Sequence, residues 1–488
     1  MATIKRLFQH TFIYGLATVL PRLLTVLLTR LLTEYLPGTV EFGEVSIIFS
    51  YIIFANVILT YGMETAFFRF YNDASTKVKT LGTALVSLLV TTAVFTASAY
   101  LLLEPIELLT DLSADYWKWV IGIIAVDTLM VIPFAYLRAR GKSVNYALIK
   151  LFNVVITVGC TLLFFTVLPQ FPAWQEYLPT DRIQLFFIAF LTANLFTFLM
   201  VMRPYFITWT IDKQLWKNML TYGWPILLSG LAFAINETID KILLQQFLPM
   251  DEDQAESVVG VYTAGYRLAV GMTLYAQAFR LGVEPFFFSQ SQDKNAPQQY
   301  ALITKAFVAL GAIALMVYVV LVDAIRPLII EPGFETAMEV VPLVLIAYFF
   351  SGIYQTLSVW YKIQDKTRYG AYISLTAAAL TIFVNVLLIP HIGYMASAYA
   401  TCAAYGLMMV VSYILGRRHM PIPYQIMDIS LYLGVSILFS LFFFYVVRAE
   451  LGIQSWPTYL VGSLLTLIVV ALVSFRESAL IQKILSKK

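Results

Sequence analysis

The sequence predicts an all-α polytopic membrane protein, and composition, spacing of apolar segments and placement of positive charge all support this. Of 488 residues, 60% are hydrophobic and only 12% are charged. The mean hydropathy of +0.79 is too high for a chain whose surface faces water. The chain is therefore expected to lie in a bilayer.

Apolar segments recur along the whole chain at the length of a membrane crossing. A hydrocarbon core about 30 Å thick needs about 20 mostly apolar residues per helix. The hydropathy pattern predicts about 14 transmembrane helices, at 11–33, 45–66, 80–102, 118–137, 144–168, 184–204, 219–248, 258–285, 301–322, 338–360, 369–390, 394–416, 429–447 and 457–474.

The connectors between these helices alternate in charge. Basic residues resist translocation and stay in the cytoplasm. Connectors on one side are basic, such as those holding Arg138, Lys142 and Lys366, whereas the opposite connectors include the acidic run at 251–253. Both termini are therefore predicted to be cytoplasmic, which fits an even number of crossings.

An internal repeat relates the two halves of the chain. GMETAFFRFYND (62–73) and GVEPFFFSQSQD (282–293) share Gly, Glu, two Phe and Asp at one offset, each at the cytoplasmic end of a helix. Residues 1–210 are predicted to form an N-lobe of helices 1–6, residues 211–420 a C-lobe of helices 7–12, and residues 421–488 helices 13–14 with a cytoplasmic tail. Two parallel six-helix repeats predict a central cavity that opens to either side as the lobes rock.

NETIDKILL (236–244) places three ionisable residues in predicted helix 7. An unpaired charge in hydrocarbon costs about 2.5–3.5 kcal/mol, so such groups face water or a partner. Glu237, Asp240 and Lys241 share one helix face, and Glu237 can pair with Lys241 at i, i+4. Together with Asp127 in predicted helix 4, they are candidates for H⁺ or Na⁺ coupling or for pairing between lobes.

Intramembrane arginines indicate an anionic ligand. Arg22 and Arg30 lie in predicted helix 1 and Arg267 lies in predicted helix 8. A guanidinium keeps its charge and can grip two phosphate oxygens at once, which suits a diphosphate headgroup. Nearer the cytoplasmic ends, three residues are candidates for a gate: Glu64, Glu284 and Arg280.

Motifs of soluble enzymes are lacking. The three histidines are far apart in the sequence, which argues against a metal site or histidine catalysis. Gly141-Lys142-Ser143 imitates the end of a phosphate-binding loop without its upstream glycine. No catalytic residue, metal or organic cofactor is predicted, nor any nucleic-acid partner. Energy for transport would then come from an ion gradient, the membrane potential or the substrate's own gradient.

Several motifs in order resemble one family. The opening YG…LPRLL…LLTRLLTEYL, the helix ending GMETAFFRFY, the LRARGKS connector and YTAGYRL in predicted helix 8 resemble the polysaccharide flippase family of the multidrug/oligosaccharidyl-lipid/polysaccharide exporter superfamily. The resemblance implies a bacterial inner-membrane protein that moves an undecaprenyl-diphosphate-linked oligosaccharide to the periplasmic leaflet. Its product would be O-antigen of lipopolysaccharide, capsule or exopolysaccharide, with a polymerase or glycosyltransferases as partners. The family's cavity arginines correspond to Arg22 and Arg267.

Three other functions stay open from the residues alone. A peptidoglycan lipid-precursor flippase would need the same cationic cavity, and no motif separates the two headgroups. A cation-coupled multidrug antiporter of the sister family would favour the acidic residues. A membrane polymerase or ligase is disfavoured, because it would need a large outward loop and the predicted outward connectors are short.

Overall fold

The computed structural model describes residues 26–478 except for 27, 37, 72–75, 173–175, 290–292, 294 and 365. In this part of the chain, all regular secondary structure is helical. Eleven helices of the described part are long and apolar enough to cross a membrane. They coincide with predicted helices 2–6 and 9–14, so the all-α, multi-pass prediction is confirmed. Predicted helix 1 lies mostly outside the described residues.

The chain divides into two compact units, 1–260 and 261–488. Unit 1 contains α1 to α8 and the first half of α9. The bounds are α1 Thr39–Thr60, α2 Met63–Tyr71, α3 Lys77–Leu101, α4 Leu103–Thr110, α5 Ala114–Ala139, α6 Ser143–Leu162, α7 Arg182–Val201, α8 Lys213–Phe247 and α9 Glu252–Leu268. Short irregular helices follow α6 and α7, at Leu163–Val167, Leu168–Gln170 and Arg203–Phe206.

Unit 2 contains the rest of α9 and the helices that follow it. Their bounds are α10 Val270–Ser289, α11 Ala296–Ile329, α12 Val341–Leu357, α13 Val359–Ile363, α14 Arg368–Ile392, α15 Met395–His419, α16 Ile426–Phe442, α17 Arg448–Leu451 and α18 Trp456–Arg476. A 3₁₀ turn, Glu335–Val340, precedes α12, and a π-helical turn, Phe443–Val447, joins α16 to α17. The boundary between the units falls inside α9, so the predicted lobe boundary at 210/211 stays a prediction.

Unit 1 holds α8 tightly against α1 and α2. Gly62 has φ +73°, which glycine adopts without steric penalty, and this turn separates α1 from α2. A Cβ added at Gly62 would lie 2.4 Å from the carbonyl oxygen of Gly223 in α8. The two backbones are thus in direct contact at a point where neither residue can carry a side chain.

The end of unit 1 that contains the start of α8 has a continuous apolar core. α2, α3, α5 and α8 supply buried side chains that pack together there, including Phe67, Leu85, Ile132 and Met219. At the start of α8, the indole nitrogen of Trp216 donates to Ser87 Oγ at 2.7 Å. The long α8, which is predicted helix 7, is therefore attached to α3 as well as to α1.

In unit 2, two ion-pair sites fasten the last helices to α11. Lys305 Nζ contacts Asp428 at 2.9 Å and Glu477 at 2.6 Å. Towards the other end of α11, Arg448 donates two hydrogen bonds to Asp323, at 2.7 and 2.9 Å. A bidentate pair fixes orientation as well as distance. α16 to α18 are therefore bound to α11 near both of its ends.

Candidate functional site

Of the three arginines predicted to bind the anionic headgroup, two lie in the described part of the chain. Arg22 lies outside the described residues, and Arg30 is half-buried in the helical segment before α1. Arg267 lies in the last turn of α9 and is exposed, although its neighbours Tyr266 and Leu268 are buried. Arg267 therefore lies at the surface of this part of unit 2.

The helix is broken immediately after Arg267. α9 ends at Leu268 and α10 begins at Val270, so predicted helix 8 consists of two helices. The Tyr318 hydroxyl donates to the carbonyl oxygen of Leu268 at 2.5 Å, which satisfies an acceptor left at the break. A Cβ added at Gly271 would lie 2.0 Å from the Tyr318 ring. Tyr318 of α11 thus packs against the residues on both sides of the break.

NETIDKILL forms part of α8, and its charges are buried in unit 1. Lys241 Nζ lies 3.0 Å from Asp240 Oδ1, with side-chain exposures of 10% and 3%. Asp240 Oδ1 also accepts from the Lys241 backbone nitrogen at 2.9 Å. Glu237 is half-buried one turn earlier in the helix. Lys241 therefore contacts its immediate neighbour in sequence, a contact that the helical spacing did not predict.

Asp127 is the centre of a polar network inside unit 1. Its Oδ1 accepts from Asn194 Nδ2 at 2.9 Å, and its Oδ2 accepts from Asn56 Nδ2 at 3.5 Å. Asn153 in turn donates to Asn194 at 3.0 Å and to Thr197 at 2.8 Å. Residues from α1, α5, α6 and α7 thus hold this carboxylate in one orientation.

A cavity of ≈ 420 Å³ adjoins this network, and we call it the unit 1 cavity. Its polar lining consists of Asn56, Glu64, Asp127, Arg138, Tyr146 and Lys150. Arg138 forms an ion pair with Glu64. The Arg138 guanidinium also lies 4.9 Å from the Phe68 ring centroid, and Lys150 Nζ lies 4.3 Å from that of Phe134. Both cations are thus placed over aromatic faces, which attract them.

Of the predicted gate residues, Glu64 lies in unit 1 and Arg280 in unit 2. Glu64 pairs with Arg138 in unit 1. Arg280 lines a small cavity of ≈ 20 Å³ in unit 2 with Gln355 and Lys362. Its Nε is buried without a hydrogen-bond partner. The side chain of Glu284 lies outside what the structure describes.

α1 and α9 cross closely in unit 1, a contact that the hydropathy pattern did not predict. A Cβ added at Gly43 would lie 1.9 Å from the carbonyl oxygen of Glu256, and one at Gly260 would lie 2.0 Å from that of Thr39. The Thr39 and Ser257 hydroxyls are 2.6 Å apart. These two helices belong to different predicted repeats. Gly43 and Gly260 were the sequence feature that could have indicated such a close contact.

Glu256 is buried at this crossing, in the connector before predicted helix 8. It is 3% exposed, and Gln245 donates to its carboxylate at 3.2 Å. Burial, followed by the nearby Glu44 carboxyl, raises the pKa of Glu256 to about 8. The crossing therefore favours the protonated, neutral form of this side chain at neutral pH.

Comparison with known proteins gives the family. A model of the family described as "Polysaccharide biosynthesis protein" matches residues 7–283, more than half of the chain. No curated protein matches the chain. Among solved structures, the lipid II flippase MurJ in an inward closed conformation has a TM-score of 0.74 at 16% identity, covering 96% of this chain and 100% of that chain.

Multidrug transporters have the same fold. An inward-facing MATE family transporter of the MOP superfamily has a TM-score of 0.62 at 12% identity, covering 87% of this chain and 96% of that one. The MATE multidrug transporter DinF-BH has a TM-score of 0.57 at 16% identity, with coverages of 86% and 96%. The family model and these folds agree with the resemblance of the sequence motifs. The chain therefore belongs to the polysaccharide biosynthesis protein family.

Proposed function

We propose that this protein is a flippase that moves an undecaprenyl-diphosphate-linked oligosaccharide across the bacterial inner membrane for surface polysaccharide synthesis. The observation that carries the proposal is Arg267, exposed beside the break in predicted helix 8 of a chain from a polysaccharide biosynthesis family. The protein acts as a carrier and makes or breaks no covalent bond. A polymerase or glycosyltransferases would work with it on the same lipid-linked intermediate.

The chemistry at the break suits a diphosphate. The guanidinium of Arg267 can donate two parallel hydrogen bonds to phosphate oxygens. The first turn of α10 starts two residues beyond Leu268, and a helix N-terminus carries a partial positive charge that favours an anion. Broken membrane helices in transporters are common places for such sites. Arg22 and Arg30 are proposed to complete the anion site.

Transport would follow alternating access between the two predicted lobes. The buried Asp240–Lys241 pair, Glu237 and Asp127 are the groups through which H⁺ or Na⁺ would drive return of the empty carrier. Because a ligand shifts a conformational equilibrium only by its differential affinity, the diphosphate must bind the inward state more tightly than it binds the state that releases it.

Two alternative substrates are each supported by an observation. The fold similarity to the lipid II flippase favours a peptidoglycan precursor, whose headgroup is also linked through phosphate. The hydrogen-bonded Asp127 carboxylate favours a cation-coupled drug antiporter. The flippase proposal is preferred because the family model describes polysaccharide biosynthesis.

The test compares three substrates in vesicles that contain the purified protein. Translocation of a labelled undecaprenyl-diphosphate oligosaccharide is expected, with much slower movement of labelled lipid II and of a cationic dye. Arg267→Ala should abolish translocation and Arg267→Lys should restore part of it, because lysine lacks the planar fork. Arg203→Ala, at an exposed arginine in the turn after α7, is the matched control and should behave as wild type. Faster transport of lipid II or dye, or full activity of Arg267→Ala, would contradict the proposal.

A further inference from the structure

The unit 1 cavity contains charges that compensate one another. Glu64 is paired with Arg138, and the same lining holds one further carboxylate, Asp127, and one further cation, Lys150. Tyr146 is the remaining titratable group in the lining. A ligand with net charge would bring a charge that this balanced set does not compensate, and the ligand would lose solvation of that charge on entering the cavity. The cavity therefore suits a ligand that is polar but neutral.

Hydrogen-bonding capacity remains at the inner end of this cavity. Asn56 donates to Asp127 at 3.5 Å and accepts from Thr128 at 3.5 Å. Both distances exceed the usual range of about 2.7–3.2 Å for a hydrogen bond. Asn56 can therefore donate and accept more strongly towards a ligand, and the Asn194 contact keeps Asp127 fixed beside it.

The supporting residues make this a rigid site. Asn194 is 2% exposed and Thr197 is 1% exposed, and both bond to Asn153. Because every partner of Asp127 lies on a packed helix, little ordering cost remains when a ligand binds. Alternating donors and acceptors that are fixed in this way match hydroxyl groups, each of which donates one hydrogen bond and accepts others.

The cavity has room for a small ligand and opens near the predicted cytoplasmic side. Its volume of ≈ 420 Å³ is at the small end of the roughly 300–1,000 Å³ of typical ligand sites. Glu64 and Arg138 have 41% and 32% exposed side chains, whereas Asp127 lies three helical turns further into α5. One sugar ring fits these limits, and a whole oligosaccharide does not.

We propose that the unit 1 cavity is a glycan subsite, which binds one neutral, hydroxyl-rich sugar of the lipid-linked substrate through Asn56, Asp127 and Tyr146. This inference rests on the proposed function. The diphosphate of the same substrate is proposed to bind Arg267 of unit 2. It gives the carrier a means of distinguishing a lipid that carries sugar from the bare lipid diphosphate.

The experiment measures Kd for two probes, undecaprenyl diphosphate and undecaprenyl diphosphate carrying one N-acetylhexosamine, by native mass spectrometry of the purified protein. Wild type should bind the sugar-bearing lipid about tenfold more tightly, the effect of one or two added hydrogen bonds. Asn56→Leu should reduce this ratio to about one and leave the affinity for the bare lipid unchanged. Tyr146→Phe, which removes only a hydroxyl, should lower the ratio without abolishing it.

Asn145→Leu is the matched control, since Asn145 is exposed on α6 and does not line the cavity. It should keep the wild-type ratio. An equal affinity of wild type for both probes, or an unchanged ratio in both Asn56→Leu and Tyr146→Phe, would overturn the glycan subsite. Arg267→Ala should instead weaken both probes equally. If Arg267→Ala binds both probes as tightly as wild type does, and still prefers the sugar-bearing lipid, the result would contradict only the diphosphate site.

Discussion

Lys241 Nζ and Asp240 Oδ1 lie 3.0 Å apart inside unit 1, although the two residues are adjacent in α8. Consecutive residues of a helix point about 100° apart, so the lysine side chain must bend back to reach the carboxylate. Both residues are buried: Asp240 is 2% exposed and Lys241 is 8% exposed. The ion pair is therefore buried in α8, the helix whose three ionisable residues stand out in an otherwise mostly apolar segment.

Removing one partner of this pair should destabilise the protein more than removing both. Lys241→Met leaves the buried Asp240 without the cation that contacts it, which costs about 3–5 kcal/mol for a buried pair. The double variant Asp240→Asn, Lys241→Met should recover most of that loss. Thermal unfolding in detergent measures the difference, and Lys217→Met at an exposed site of α8 is the control. If the losses of stability caused by Asp240→Asn and by Lys241→Met simply added in the double variant, pairing would not be the main role of these residues.

The same charges are expected to couple transport to an ion gradient. A triple variant with Glu237→Gln, Asp240→Asn and Lys241→Met should fold, because neutral groups of similar size replace the charges. Its translocation in vesicles should no longer respond to an imposed H⁺ or Na⁺ gradient, whereas wild type should respond. If wild type is insensitive to both gradients, or the triple variant keeps the wild-type response, these residues are structural.

Membrane orientation can be checked at connectors whose position is defined. Lys142 is exposed in the turn between α5 and α6, and Glu252 is exposed at the start of α9. A reporter inserted after Lys142 or Lys366 should give a cytoplasmic signal, and one after Glu252 a periplasmic signal, following the distribution of basic residues. Reversed signals would mean that the basic connectors face outwards.

Hydropathy was sufficient to predict the helices because each crossing needs a long apolar run. It could not predict the break at Ala269, since the surrounding LAVGM is apolar and Tyr318, which bonds to Leu268 there, comes from α11, far along the chain. Sequence also identified Asp127, but not the asparagines that fix its orientation. Those residues come from three other helices, and only packing brings them together. Similarly, helical spacing did not predict the contact of Lys241 with Asp240, its neighbour in the sequence.

The crossing of α1 and α9 can be locked to test whether it opens during transport. Thr39→Cys with Ser257→Cys, in a protein with Cys160 and Cys402 changed to Ala, places two thiols where hydroxyls lie 2.6 Å apart. Oxidation should form a disulfide and stop translocation, because the proposed alternating access would separate predicted helices 2 and 8. A reductant should restore it, and either single cysteine should be insensitive. Undiminished transport by the cross-linked protein would show that this contact stays closed throughout the cycle.

Closure at this crossing should weaken as pH rises, and Glu256 should be the residue responsible. The neighbouring charged groups, Glu44, Glu252 and Asp253, are all acidic, and they add to the effect of burial in raising the pKa of Glu256 from 4.5 to about 8. A carboxyl with a raised pKa binds more protons in the packed state than in the open state. Its contribution is therefore fully present below pH about 4.5 and is lost as pH rises to about 8.

The measurement is the rate of disulfide formation between the cysteines at 39 and 257, corrected for the intrinsic pH dependence of thiol oxidation with a model dithiol. In the otherwise unchanged protein the corrected rate should fall between pH 5 and about 8, since deprotonation of Glu256 separates the helices. Glu256→Gln keeps a neutral side chain of the same size and should remove this decrease. Glu450→Gln, at an exposed carboxylate, should leave it in place. A decrease that persists in Glu256→Gln would assign the pH dependence to another group. Glu44 would be tested next, because among the carboxyl groups it raises the pKa of Glu256 most.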